Sequence, residues 1–173
     1  MGIAGALFAI AAAAIVAAWA WLGAPVQMPP SPLASGEKLY CVSYTPFRGA
    51  QSPLGPEVPV DPRQIDEDLA QLKHVTDCVR TYSVDYGLDQ IAEIAKRHGI
   101  KVLQGLWLSN LPERSRWQVA TAIGLAKRFP DVIAAVIVGN EVLLRGEMGA
   151  PDLTRTIREV KSQVSMPVSY ADV

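Results

Sequence analysis

Glu141 stands directly behind Asn140, at the end of the apolar run Ile133–Gly139. A carboxylic acid placed there can protonate a leaving oxygen and later recover the proton, which is general acid and base work. Its plainer alternative is to cap the strand end or to pair with Arg145 on the surface. Other ligand-holding groups close other apolar runs. Tyr44 lies at the end of the first and Arg48 follows it, Arg80 and Tyr82 lie on the second, Trp107 lies at the end of the third with Asn110 behind it, and Asp172 follows the fifth. One carboxylate, amide and guanidinium donors and several rings suit a sugar. Hydroxyls take bidentate polar partners, and a pyranose face packs on an aromatic ring. Cleavage of a glycosidic bond requires a carboxylic acid of this kind. No Gly-x-Ser-x-Gly elbow is present. No His, Cys and carboxylate cluster has metal-ligand spacing, and His74 and His98 fall at helix ends away from these groups. Neither a metal nor an organic cofactor is expected.

These residues need elements that bring them to one edge. Five short β-rich runs are legible: Leu39–Thr45, Val79–Ser83, Lys101–Leu108, Ile133–Gly139 and Pro167–Ala171. Between them lie four stretches with helical period. The first opens at Asp61 with Pro62 behind it, an N-cap followed by proline at the first helical position, and Gln64 fits a capping box. Its stripe is Ile65, Leu69 and Leu72. The second carries Leu88, Ile91, Ile94 and Ala95 and stops at Gly99. The third carries Ala120, Ile123 and Phe129, and the fourth Leu153, Ile157, Val160 and Val164. Strands alternating with helices predict a parallel sheet with reactive groups at the C-terminal strand ends. No glycine-rich phosphate loop follows any strand, which favours a (β/α)8 barrel over an open doubly wound sheet. Such a barrel takes about 250 residues, so five strands and four helices read as part of one, in a piece of a longer protein.

The chain has 173 residues, half of them apolar, and a net charge of −1. Disorder, coiled coil and a nucleic-acid partner do not fit that balance. All 16 basic and 17 acidic side chains lie from Glu37 onward. Gly2 to Ala24 is an unbroken apolar run, about 34 Å long as a helix, enough for a bilayer core of about 30 Å. An uncleaved membrane anchor over residues 1–24 is expected, with a cleaved signal segment as its rival. Residues 25–38, with four prolines between Pro25 and Pro32, read as a stiff linker. Residues 39–173 form the soluble part. Two half-buried free thiols are expected for Cys41 and Cys78, and a bridge between neighbouring strands is the alternative.

Val138-Gly139-Asn140-Glu141-Val142 resembles the acid/base motif of the family 17 glycoside hydrolases, the β-1,3-glucanases and β-1,3-glucanosyltransferases. Val79-Arg80-Thr81-Tyr82 resembles that family's Arg-x-Tyr strand. Val42-Ser43-Tyr44 and Gly105-Leu106-Trp107-Leu108 also fit, over residues 39–173 and the first half of the family's domain. The resemblance implies a (β/α)8 TIM barrel and a retaining mechanism on β-1,3-glucan. Glu141 would be the acid/base, Asn140 would bind the sugar 2-hydroxyl, and a glutamate beyond Val173 would be the nucleophile. This 173-residue chain alone is therefore expected to be inactive. Arg80 orients that nucleophile or forms a buried ion pair. Tyr44 and Tyr82 bind sugar or acid, or are core. Trp107 stacks on glucose or is core, and Asn110 is a subsite candidate. Asp172 reads as a rim hydrogen-bonding residue. The loop from Phe47 to Pro59 lines the groove or merely connects. Arg145 and Glu147 are expected to be solvated. A bacterial subset resembling this chain is membrane-bound and associated with β-1,3/1,6-glucan synthesis. That leaves hydrolysis, chain transfer or branching, and a non-catalytic glucan-binding module. The membrane and a β-glucan are the expected partners, and the soluble domain is expected outside the cytoplasm.

Overall fold

The five strands lie side by side in chain order, β1-β2-β3-β4-β5, and every neighbouring pair is parallel. A doubly wound sheet reverses its strand order at a switch point, whereas consecutive order belongs to a barrel wall. The computed structural model describes residues 2–30, 32–34, 36–55 and 58–172. Ser31 and Ser35 of the linker, Pro56 and Glu57 of the first loop, and Val173 lie outside these. Two compact units are present, Met1–Ala34 and Ser35–Val173.

In the first unit, α1 (Ile3–Leu22) is exposed along its described length, with mean hydropathy 2.3. Its length and composition suffice to cross a membrane. A signal sequence meets the same description.

In the second unit the elements run β1 (Val42–Ser43), α2 (Pro62–Leu72), β2 (Cys78–Arg80), α3 (Ile91–His98), β3 (Lys101–Leu106), α4 (Pro112–Arg128), β4 (Ile133–Asn140), α5 (Ala150–Gln163) and β5 (Val168–Ala171). A 3-10 turn, Leu88–Gln90, leads into α3. The two faces of the sheet differ. Val79, Val102, Leu106, Val136 and Val138 point one way and are buried beneath the helices with Ile65, Leu69, Ile91, Ile123 and Val160. The alternate residues make rows across the strands, Ser43–Arg80–Leu103–Ala135 and Gly105–Ile137–Ser169. Apart from buried Gly105, these are half-buried or exposed. This is the inner face of the barrel wall. Gly105 allows the β2 chain to come close, because a Cβ there would collide with the Thr81 carbonyl and lie 2.8 Å from Tyr82 Cα.

Several local expectations change. Asp61 caps α2 by accepting from Arg63 N at 2.8 Å, but Gln64 makes no capping box. Its amide instead donates to the Pro46 carbonyl and to Gln51 Oε1, so it ties the first loop to α2. Ala120 faces solvent, and Val119 and Ala122 carry the buried stripe of α4. The first strand pairs over fewer residues than Leu39–Thr45, because β1 is an edge strand held at three places. These are a bridge from Leu39 to Thr76, the β1 ladder, and Tyr44 N to Arg80 O at 2.9 Å. Cys41 and Cys78 are not free thiols but a disulfide. Val42 pairs with Val79, so the two cysteines one step earlier face each other, with Cα atoms 4.3 Å apart.

Candidate active site

The site is built where β4 ends. The ladder between β4 and β5 pairs Ile137 with Ser169 and Asn140 with Ala171, so β4 holds one extra residue. Gly139, at φ 86°, sits in this bulge in the left-handed region that glycine tolerates. The bulge turns Asn140 onto the inner face. There its Oδ1 accepts from Arg80 Nη2 at 2.7 Å, across three strands. The Arg80 guanidinium also lies 4.7 Å from the Tyr82 ring centre, and Tyr82 donates to Ser43 Oγ at 2.9 Å. Arg80 Nε is buried and has no hydrogen-bond partner among the described residues.

Glu141 follows at φ 54°, a left-handed conformation that costs a non-glycine residue on the order of 1 kcal/mol. Its amide donates to the Ala171 carbonyl at 2.8 Å, and its carbonyl accepts from Arg145 N at 2.9 Å. Among the described residues no hydrogen bond or ion pair engages its carboxylate. Arg145 does not pair with it.

Arg145 and Glu147, expected in solvent, are instead half-buried and bonded to each other at 3.0 Å. The Arg145 guanidinium donates to the Asn140 carbonyl and, at 2.9 Å, to the Leu108 carbonyl. Its centre lies 4.1 Å from the Trp107 ring. One side chain thus clamps the ends of β3 and β4 and covers one side of Trp107. The spacing Glu141 to Arg145 pointed to a surface pair; nothing in sequence marked Leu108 or Trp107 as partners. Gln118 is a second unforeseen clamp. From inside α4 its Oε1 accepts from Val84 N and Trp107 N at 3.2 and 3.1 Å, and its amide donates to Ser83 at 2.9 Å.

A groove of about 450 Å³ runs along this rim. Tyr82, Trp107 and Asn140 line it together with Phe47, Pro53 and Leu54 of the first loop, so that loop is a wall and not only a connection. Tyr86 holds the loop in place. Its hydroxyl donates to the Pro53 carbonyl at 2.9 Å, and its ring meets Phe47 edge-on at 5.9 Å. Beside it, Asp85 accepts from Arg114 Nε and Nη2 at 3.0 and 2.5 Å. Burial opposes the Arg114 charge, but Asp85 outweighs it and raises the guanidinium pKa.

Other candidates lie apart. Tyr44 lines the groove, but its hydroxyl donates to Asp68 on α2 at 2.8 Å. Burial, then Asp68, pushes that hydroxyl above its ordinary pKa. Asn110 is exposed on the turn into α4 and is not a lining residue. Asp172 accepts from the Tyr170 hydroxyl, which in turn accepts from Leu143 N at 3.2 Å. Among the described residues no group of three or more His, Cys, Asp or Glu could hold a metal ion.

A parallel sheet in consecutive order, with an amide and a carboxylate side by side at one rim, defines part of a (β/α)-barrel domain. Residues 41–173 match the BtgE/BtgC glycoside hydrolase domain, and the chain belongs to that family. It is 36 % identical over 106 residues to a glucan 1,3-β-glucosidase of Arthroderma benhamiae, an alignment that takes in 58 % of this chain and 33 % of that protein. It is 27 % identical over 147 residues to a probable glucan endo-1,3-β-glucosidase, btgC, of Aspergillus clavatus, covering 76 % of this chain and 21 % of that protein. A family 17 β-1,3-glucanosyltransferase from Rhizomucor miehei superposes with a TM-score of 0.65 at 21 % identity, over 78 % of this chain and 49 % of that one. An active-site mutant of that enzyme, solved with laminaritriose, fits equally well. The chain thus spans a third or less of these curated relatives and about half of the solved enzyme, whose fold it shares.

Proposed function

We propose that this domain binds β-1,3-glucan along its rim and supplies the acid/base of a retaining glycoside hydrolase or glucanosyltransferase. Glu141 protonates the departing glycosidic oxygen, then takes a proton from the incoming hydroxyl or water. Asn140, fixed by Arg80, has its amide donors directed at the sugar that is cleaved. Tyr82 and Trp107 present faces to the pyranose rings. The observation that carries this reading is the Glu141 carboxylate. It is unengaged among the described residues, yet its backbone is held in a costly conformation beside an Asn140 fixed by Arg80. The relatives' names point to the same substrate class.

A retaining enzyme needs a second carboxylate about 5–5.5 Å away. The described rim acids are committed: Asp85 to Arg114, Glu147 to Arg145, and Asp172 to Tyr170. The second carboxylate then comes from outside these residues, and the buried donor Arg80 Nε–H is suited to receive it. The same commitment favours a second reading, a glucan-binding domain without turnover. The test is turnover of β-1,3-glucan oligosaccharides by the whole gene product and by its Glu141→Gln variant. The acid/base role requires kcat to fall about 10²–10⁴-fold with binding retained. Equal rates would remove Glu141 from the chemistry. No turnover by the unaltered protein, with binding intact, would establish the second reading. The 173-residue chain alone is expected to bind without turnover. The disulfide supports an oxidising compartment. Together with α1 it supports a membrane-anchored or secreted domain outside the cytoplasm.

A further inference from the structure

On the far side of Tyr86 lies a second recess, of about 390 Å³, that the catalytic reading does not use. Asp85 and Tyr86 line both it and the main groove, so the two adjoin at that ridge. The outer wall is Trp117, on α4, which is 48 % exposed. A half-exposed tryptophan is an unusual surface residue, since burying a ring of that size is strongly favourable. Asp89 lines the same recess, and its carboxylate has no hydrogen bond or ion pair among the described residues. Asp85 is different, because Arg114 and Ser83 hold it rigidly. Pro59 and Gly87 complete the walls. The ridge itself is firmly set. Tyr86 adopts φ 56°, and its carbonyl accepts from Val60 N at 2.7 Å.

A half-exposed indole, one acceptor uncommitted among the described residues and one fixed acceptor match an uncharged polyhydroxylated ring. The pyranose face lies on the indole, and its hydroxyls donate to the carboxylates. An anionic ligand is disfavoured by the two aspartates. A cation would meet only one uncommitted carboxylate. We propose that the Trp117 recess is a second, non-catalytic sugar position, which takes a glucose unit of the same β-glucan beyond the Tyr86 ridge. This rests on the glucan reading above. A chain seated in the groove, or a side branch from it, reaches the recess without leaving the surface.

The test uses the indole N–H signals of the ¹⁵N-labelled full chain, held in micelles of a detergent with no sugar headgroup. Trp107 reports the groove and Trp117 the recess, and Trp117→Phe assigns the second signal. A β-1,3-linked glucose hexamer is titrated in, with maltohexaose as the α-linked control. The proposal requires both signals to move with the β-linked hexamer. It also requires Trp117→Ala and Asp89→Asn each to weaken the apparent affinity about three- to tenfold, the loss expected for one ring or hydrogen-bond partner, while the Trp107 response persists. Movement of Trp107 alone, with both variants binding like the unaltered chain, overturns the recess and leaves the groove. Equal response of Trp117 to maltohexaose overturns its role in β-glucan recognition. No movement of either signal overturns the glucan reading and the recess together.

Discussion

Residues with opposite fates stand next to each other at the β4 end. Asn140 is fixed by Arg80, whereas the carboxylate of Glu141 has no hydrogen bond or ion pair among the described residues. The fixing and the freedom have one cause, a bulge at Gly139 that rotates Asn140 inward and sends Glu141 into the left-handed region. Arg145 holds this geometry from behind through the carbonyls of Asn140 and Leu108. Arg145→Ala should therefore lower stability by about 1–3 kcal/mol, the cost of two orphaned carbonyls and a lost ring contact. Thermal unfolding measures this, and the fluorescence of Trp107 should change as its cover is removed. Part of this was legible from sequence as type and place. Asn140-Glu141 behind an apolar strand named the rim, where Tyr82 and Trp107 line the groove with Asn140, and Arg80 bonds to Asn140. Arg145 was not legible, because its partners come from the end of β3, 37 residues away in the chain. Tyr44 was half legible. Its ring reaches the groove, but its hydroxyl is committed to Asp68, a partner on a helix face that the period alone did not select.

At the level of elements, caps and apolar stripes marked the helices, and the strand ends were marked less well. Pairing stops where the neighbouring chain departs, which is a property of two segments and not of one. The helix pair α2 and α3 shows the same dependence. Asp66 on α2 accepts from His98 Nε2 and Arg97 Nη2 on α3, each at 2.9 Å. The bond from His98, then that from Arg97, holds the Asp66 pKa below its ordinary 3.8. The folded state thus keeps Asp66 ionised at pH values where the unfolded chain protonates it. This contribution to stability is complete above pH 3.8 and is lost as the pH falls through the lowered value. Chemical denaturation from pH 6 downward should show Asp66→Asn losing less stability than the unaltered protein once the pH falls below 3.8. Parallel curves would detach this pair from acid stability.

Across the whole molecule, the disulfide joins the edge strand β1 to β2 and closes a separation of 37 residues. A loop of that size constrains the unfolded chain by about 3–4 kcal/mol in the chain-entropy treatment. Reduction, or replacement of both cysteines by serine, should lower the unfolding free energy by about that much and loosen β1 first. Hydrogen exchange at Tyr44 N would report the loosening. Free thiols were the expectation and a bridge between neighbouring strands the alternative; the strand register, which sets Cys41 across from Cys78, decides for the bridge. The inner face of the sheet carries the Arg80–Asn140 pair at its rim, and the central claim is that this rim recognises β-1,3-glucan. Calorimetric titration of the full chain with a β-1,3-linked glucose hexamer, beside its Asn140→Ala variant, tests this most directly. The account predicts saturable binding that Asn140→Ala weakens at least about tenfold, as expected when Arg80 is left facing the sugar without its partner. Binding unchanged by Asn140→Ala, or no binding by the unaltered chain, would contradict it.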